Sequence, residues 1–174
     1  MGLDQFLYRS AADRPIKDDE ETWVQTYAAF KAKHGQMVYG NDDAPNSYAA
    51  FKRELAVVSN CEEVAYWRKF NALHLWMERA LNNDEQTNGE MLPISLEQLA
   101  GLKVTCERVA ADPTLGPTFL PTGGRFFFGS TDYDEWYVGD CIETANELDR
   151  ILREEEAWCR AGNRPHVFHY CSSW

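Results

Sequence analysis

The sequence predicts an α+β fold in a single globular domain spanning residues 1–174, with a small, mostly antiparallel sheet packed by several helices. Three observations carry this. Short strand-like stretches lie at both ends of the chain and once more before the last helical pattern. Between them run long segments whose apolar residues recur at helical spacing. The chain has 174 residues, 44% of them hydrophobic and 13% aromatic, and at this size folding buries roughly two-thirds of the unfolded surface around one core. Terminal strands plus one internal strand can share a sheet that the helices cover.

"LDQFLYRS" alternates apolar and polar residues and reads as a strand near 3–9. A polar connection through Pro15 leads to a helix near 21–34, where Trp23, Tyr27 and Phe30 keep helical spacing and Gly35 stops it. "QMVYG" reads as a short strand or an extended link. "NDDAPNS" is a turn cluster, and Ser47 caps a helix near 47–58. "TYAAFK" at 26–31 is nearly repeated by "SYAAFK" at 47–52, as two amphipathic helices of one pattern would be. Residues 61–82, free of Gly and Pro, read as one continuous helix. Ser95 and Gln98 form a capping box opening a helix near 95–111, which Asp112-Pro113 ends. Three prolines and three glycines make 112–124 a loop. "RFFFG" reads as a buried strand near 125–129, and a long amphipathic helix follows near 133–160. Ser130, Thr131 and Asp132 are its expected caps, with Asp134 and Glu135 in its first turn, where the helix dipole favours negative charge. "HVFHYCSSW" supplies the last strand, near 166–171, with Phe168 and Tyr170 on one face.

A net charge of −11 argues against duplex nucleic acid and anionic membranes as partners, because such affinity comes from Lys and Arg. Five cysteines without a Cys-x-x-Cys pair suit free thiols in a reducing cytoplasm. No apolar run reaches the ~20 residues that span a bilayer, and Phe6 stands where a myristoylation signal needs Ser or Thr. The expected location is cytoplasmic.

If 61–82 is helical, Trp67, Asn71, His74 and Glu78 line up beside the core face of Tyr66, Phe70, Leu73, Met77 and Leu81. That stripe is a candidate ligand wall, with His74 as donor or base, Asn71 orienting, and Arg68 and Lys69 at its N-terminal end. The competing reading makes Asn71 and His74 hydrogen-bonding groups of the core. Ser130, Asp132, Tyr133 and Trp136 complete the candidate set: oxygens at a helix start and rings that stack on a base. Asp132 and Asp134 at i, i+2 diverge and lack a third ligand, so neither a metal nor any other cofactor is expected. Nucleophile-elbow and phosphate-loop patterns are absent.

Four stretches, "MGLD" with "LYR", "EVAYWRKFNALHLW", "FFFGSTDYDEWY" and "YCSSW", together resemble a family of small uncharacterised bacteriophage and prophage proteins. Residues 11–60 carry no such match, which is expected of a lineage-specific helical insertion. The resemblance implies no reaction, only a phage setting, in which small proteins bind host proteins or sequester signalling nucleotides. The leading expectation is a non-catalytic counter-defence protein holding a small anionic or nucleotide-like ligand between the central helix and the loop at 129–136. The alternatives are an acidic protein-interaction module that inhibits a host protein and a hydrolase of phosphorylated small molecules using His74 with Asp132 or Asp134. An aromatic-rich chain of this size also suits a homodimer.

Overall fold

The computed structural model describes residues 2–17, 19–39, 41, 43–124 and 129–174. Its fold is α+β, as the sequence predicts: helices with a four-stranded antiparallel sheet. The chain forms two compact units, one of Met1–Tyr8 with Val64–Trp174 and one of Arg9–Glu63, which contains all of residues 11–60.

Strand β1 is Asp4–Ala11, helix α1 Glu20–His34, helix α2 Tyr48–Ser59, strand β2 Glu62–Arg68 and helix α3 Asn71–Asn82. Strand β3, Leu92–Ile94, precedes α4, Leu96–Ala111, and a 3-10 turn at Pro113–Leu115 leads into the short α5, Gly116–Phe119. Helix α6 is Glu135–Arg160, and β4 is His166–Ser173. The sheet order is β2-β1-β4-β3. Leu92 pairs with Tyr170 and Ile94 with Phe168, antiparallel. Among the described residues no helix is long and apolar enough to cross a membrane.

The Arg9–Glu63 unit is a helical pair with its own small core. Asp19 caps α1 by accepting from the Thr22 N–H at 2.7 Å, and Ser47 caps α2 through the Ala50 N–H at 3.0 Å. The near-repeat gives α1 and α2 the same pair of rings. Phe30 meets Phe51 edge to face at 5.5 Å, Tyr27 meets Phe51 at 5.8 Å, and both Phe rings are buried with Met37. Such ring pairs contribute about 0.5–1.5 kcal/mol beyond their buried area. Asn60 closes the unit from a left-handed conformation, φ 54°, donating to the Ala11 and Arg14 carbonyls and accepting from the Ala11 N–H.

In the larger unit α4 packs along α6. Leu99, Leu102, Cys106 and Val109 meet Tyr137, Cys141, Ala145, Leu148 and Ile151, spacings of three and four that place each set on one helical face. Leu73 and Met77 of α3, with Phe168 and Tyr170 of β4, extend the same core. Each fully buried side chain of this size contributes about 1.5–3 kcal/mol.

One expectation fails: residues 61–82 are not one helix. Residues 62–68 are strand β2, and α3 starts only at Asn71. Ala65 and Trp67 are buried while Tyr66 and Arg68 are exposed, a strand alternation that a wheel at 100° per residue turns into a false stripe. Lys69 makes the break. It sits at φ 63°, donates its N–H to the Leu3 carbonyl at 2.8 Å and accepts from the Asn71 N–H at 2.9 Å. That left-handed backbone costs an ordinary residue about 1–2 kcal/mol, which the pairing to Leu3 helps offset. Nor do the expected caps of α6 serve: Asp134 is the N-cap, accepting from the Trp136 and Tyr137 N–H groups at 3.1 Å each. The expected strand at 125–129 lies outside the described residues except for Gly129. Strand β3 carries no sequence signal, because it is three residues long and contains Pro93, which suits the edge of a sheet.

Candidate functional site

The nine residues singled out from the sequence fall into three places. Asn71 and His74 lie within the body of the larger unit, Arg68 and Lys69 on its surface beside Gly2, and Trp136 on a separate face of α6.

Asn71 is buried at the first turn of α3 and acts as a clamp. Its amide nitrogen donates to the Ser130 carbonyl at 2.6 Å and its oxygen accepts from the Gly123 N–H at 3.2 Å. Both sides of the 123–130 segment are therefore tied to one side chain, and little of that amide is left to read a base edge.

His74 is fully buried. Its Nδ1 lies 2.8 Å from the Tyr170 hydroxyl and its Nε2 2.9 Å from Glu78. The network continues at both ends: Tyr170 donates to Gln5 Oε1 at 3.2 Å, Gln5 donates to the Phe70 carbonyl at 3.2 Å, and Glu78 accepts from the Thr87 N–H at 3.1 Å. Burial, with the Glu78 charge, pushes the Tyr170 phenol well above its ordinary range. The imidazole is thus a link in a closed interior chain, which is how cores satisfy polar groups. It is not presented to solvent as a base for the hydrolase reading. Trp67 is buried on β2, and among the described residues its indole N–H meets no acceptor.

Arg68 is exposed and paired with Asp4, whose carboxylate also accepts from the Tyr66 hydroxyl. The Tyr66 bond and the Arg68 charge hold Asp4 below the usual carboxylate range. Lys69 is exposed; a Cβ added at Gly2 would stand 3.0 Å from its Cε, and one at Gly129 would stand 3.3 Å from its carbonyl oxygen. Ser130 and Asp132 are exposed and form a local turn, the Asp132 N–H donating to Ser130 Oγ at 3.1 Å.

Tyr133 is half-buried. Its hydroxyl accepts from the Thr122 N–H at 3.1 Å, and its ring meets Tyr137 edge to face at 4.9 Å. A Cβ on Gly116 would lie 2.7 Å from that ring, so only glycine fits there. Tyr133 and Asn71 thus brace the same loop from two sides, through Thr122 and through Gly123 with Ser130. Trp136 turns away from both. It is 77% exposed and lines a cleft of about 330 Å³ with Glu135, Gly139, Asp140 and Glu143. None of the other eight residues lines it.

The cleft is electrostatically one-sided. Among the described residues no Lys, Arg or His pairs with Glu135, Asp140 or Glu143. Burial, then the charges of Glu143 and Asp134, push the Asp140 carboxyl up to about 6 from an ordinary 3.8. Sequence reasoning missed Gly139, Asp140 and Glu143. The signal was there: Trp136, Asp140 and Glu143 stand at i, i+4 and i+7, one stripe of a helix interrupted by a glycine. Among the described residues no three His, Cys, Asp or Glu side chains are grouped to hold a metal ion. A hydrogen bond to Cys141 and burial raise the Cys106 thiol far above a reactive range, and the same bond lowers that of Cys141. The chain matches no protein-family model, and neither curated proteins nor solved structures provide a similar chain.

Proposed function

We propose that the protein is a non-catalytic binding protein that docks on a basic segment of a partner protein, a host protein in the phage setting implied by the sequence resemblance. The observation that carries this reading is Trp136, an exposed indole set among carboxylates that no cation pairs with among the described residues. Large rings left in water at the rim of a cleft are typical anchors of interfaces. Unpaired charge of one sign favours encounter with a partner of the opposite sign. An anionic nucleotide stacked on Trp136 would meet Glu135, Asp140 and Glu143, so the same cleft disfavours the sequestration reading there. The test is capture from bacterial lysate at about 0.15 M salt by wild type and by Trp136→Ala/Glu143→Lys. A basic protein held by wild type and lost from the variant is the expected outcome; an identical set retained by both would discard the reading.

A second reading keeps a small anion, at Lys69 and Arg68. What favours it is the convergence of both side chains on Gly2, with Gly129 against the Lys69 main chain. Calorimetric titration with a nucleotide panel decides it: heat that disappears in Lys69→Ala supports it, and heat that is unchanged or absent removes it.

A further inference from the structure

We infer that the group received by the Trp136 cleft is an arginine side chain on an exposed segment of the partner, its guanidinium lying on the indole face and reaching Asp140 and Glu143. The inference rests on the docking function proposed above and names its chemistry.

The first argument is the shape of the stripe. Glu135, Gly139 and Glu143 follow one another at i, i+4 and i+8 along α6, and Trp136 and Asp140 run beside them. The indole and Glu135 thus border one end of the cleft, and Asp140 and Glu143 the other. Gly139 leaves the helix backbone bare between them: a Cβ built there meets nothing within 4 Å. No neighbour requires this glycine and no turn does, although a glycine inside a helix costs stability relative to alanine. Such a residue lets a ligand approach the helix backbone closely.

The second argument is charge. The N-cap Asp134 and the first-turn Glu135 serve the helix terminus. Asp140 and Glu143 lie beyond that first turn, where the dipole no longer rewards an acid. Among the described residues they have no cationic partner, so they repel one another until a cation arrives. Their spread does not suit a compact divalent ion, since among the described residues no three ligating side chains converge. A delocalised, flat cation fits better. Guanidinium is planar, stacks on an indole, presents five donors in a fork and is more weakly hydrated than an ammonium. The cleft, of about 330 Å³, has room for one long side chain.

The experiment uses the full chain labelled with nitrogen-15. The Trp136 indole N–H signal is identified by its loss in Trp136→Phe. N-acetyl-arginine methylamide, the matching lysine compound and the matching neutral citrulline compound are then titrated in turn. Arginine is expected to move the Trp136 signal saturably, lysine to bind at least about fivefold more weakly, and citrulline to leave it still. Asp140→Asn/Glu143→Gln should weaken the arginine compound by about tenfold, two lost charge-assisted contacts, and a melting temperature no lower than wild type excludes unfolding as the cause. Equal shifts from arginine and lysine would overturn the guanidinium assignment and leave the docking function standing. So would a still signal with all three compounds while capture of a basic protein still depends on Trp136 and Glu143. A still signal with no such capture would overturn both.

Discussion

The two halves of α6 treat their charges in opposite ways. Beyond residue 146 every carboxylate has a partner: Glu147 and Glu154 hold Arg150 at 2.7 Å each, Asp149 holds Arg153 at 2.8 Å and Lys103 at 3.3 Å, and Glu156 pairs with Arg160. Glu155, buried, accepts from the His166 N–H at 2.7 Å and meets its ring nitrogen at 2.7 Å. Before that residue Asp134 is spent as a cap, while Glu135, Asp140 and Glu143 face Trp136 with no cation beside them among the described residues. The same helix thus has one half whose acids anchor neighbouring elements and another whose acids are held in reserve. Of the reserved acids Asp140 bears a cost, its carboxyl pushed up to about 6 by burial and the Glu143 and Asp134 charges, as groups at functional surfaces often are.

Breaking the anchored half should have the largest effect. Glu155→Ala leaves the His166 backbone and ring without their acceptor in a buried place, a loss of about 3 kcal/mol, and urea denaturation should show it as a lower midpoint at an unchanged slope. Arg150→Ala comes next. Its guanidinium donates to the Val64 carbonyl at 2.6 Å as well as to two glutamates, and it is nearly half exposed. A loss of about 1.5 kcal/mol follows, visible as a fall of about 5 °C in thermal melting.

The reserved half should respond with the opposite sign. The Asp140 carboxyl titrates near 6 in the folded chain against an ordinary 3.8. Below the ordinary value folded and unfolded chains are both protonated there, and the residue contributes nothing. Between about pH 4 and 6 the folded chain binds more protons, so stability falls as pH rises, and above 6 the full cost is present. Asp140→Asn should therefore gain about 1 kcal/mol at pH 7, allowing for solvent screening of a half-exposed group, and nothing at pH 3.5. Parallel melts at the two pH values measure this; an equal gain at both would show that charge is not the cause. Smallest of all, Gly139→Ala should stabilise by about 0.5–1 kcal/mol, since helical backbone accepts alanine and nothing stands in its way. If the glycine serves an occupant, the arginine compound should bind this stabler variant less well.

Most of the fold was legible where local chemistry decides. The capping box of Ser95 and Gln98 is made in both directions, Ser47 caps α2, and the apolar period of α6 faces α4 as the spacing requires. The misreading at 61–82 has a specific origin. Val64, Trp67, Phe70, Leu73 and Met77 are all buried and keep spacings of three and four, so a strand followed by a helix mimics one helix. The break falls on Lys69, a residue with no preference for left-handed backbone, rather than on Gly, Asn or Pro. The candidate site was legible in part. Trp136 stands out in the sequence as an aromatic beside a cap, whereas Asp140 and Glu143 are acids on a helix, a pattern that usually means only a wetted face. Whether a helical histidine meets solvent or a tyrosine is decided by the last strand, 96 residues away, and no local pattern records it.

That same separation bears on how the chain comes to be folded. Tyr170 closes a hydrogen bond to Gln5 across 165 residues, and β4 lies between β1 and β3 although it is made last. While the ribosome is still adding α6, the edge of β1 that will receive β4 has no partner strand to pair with. Contacts this distant in sequence slow folding and leave strand edges open to misassembly. The sheet can be completed only once residues 166–173 have left the exit tunnel, so until then an edge of β1 stays open.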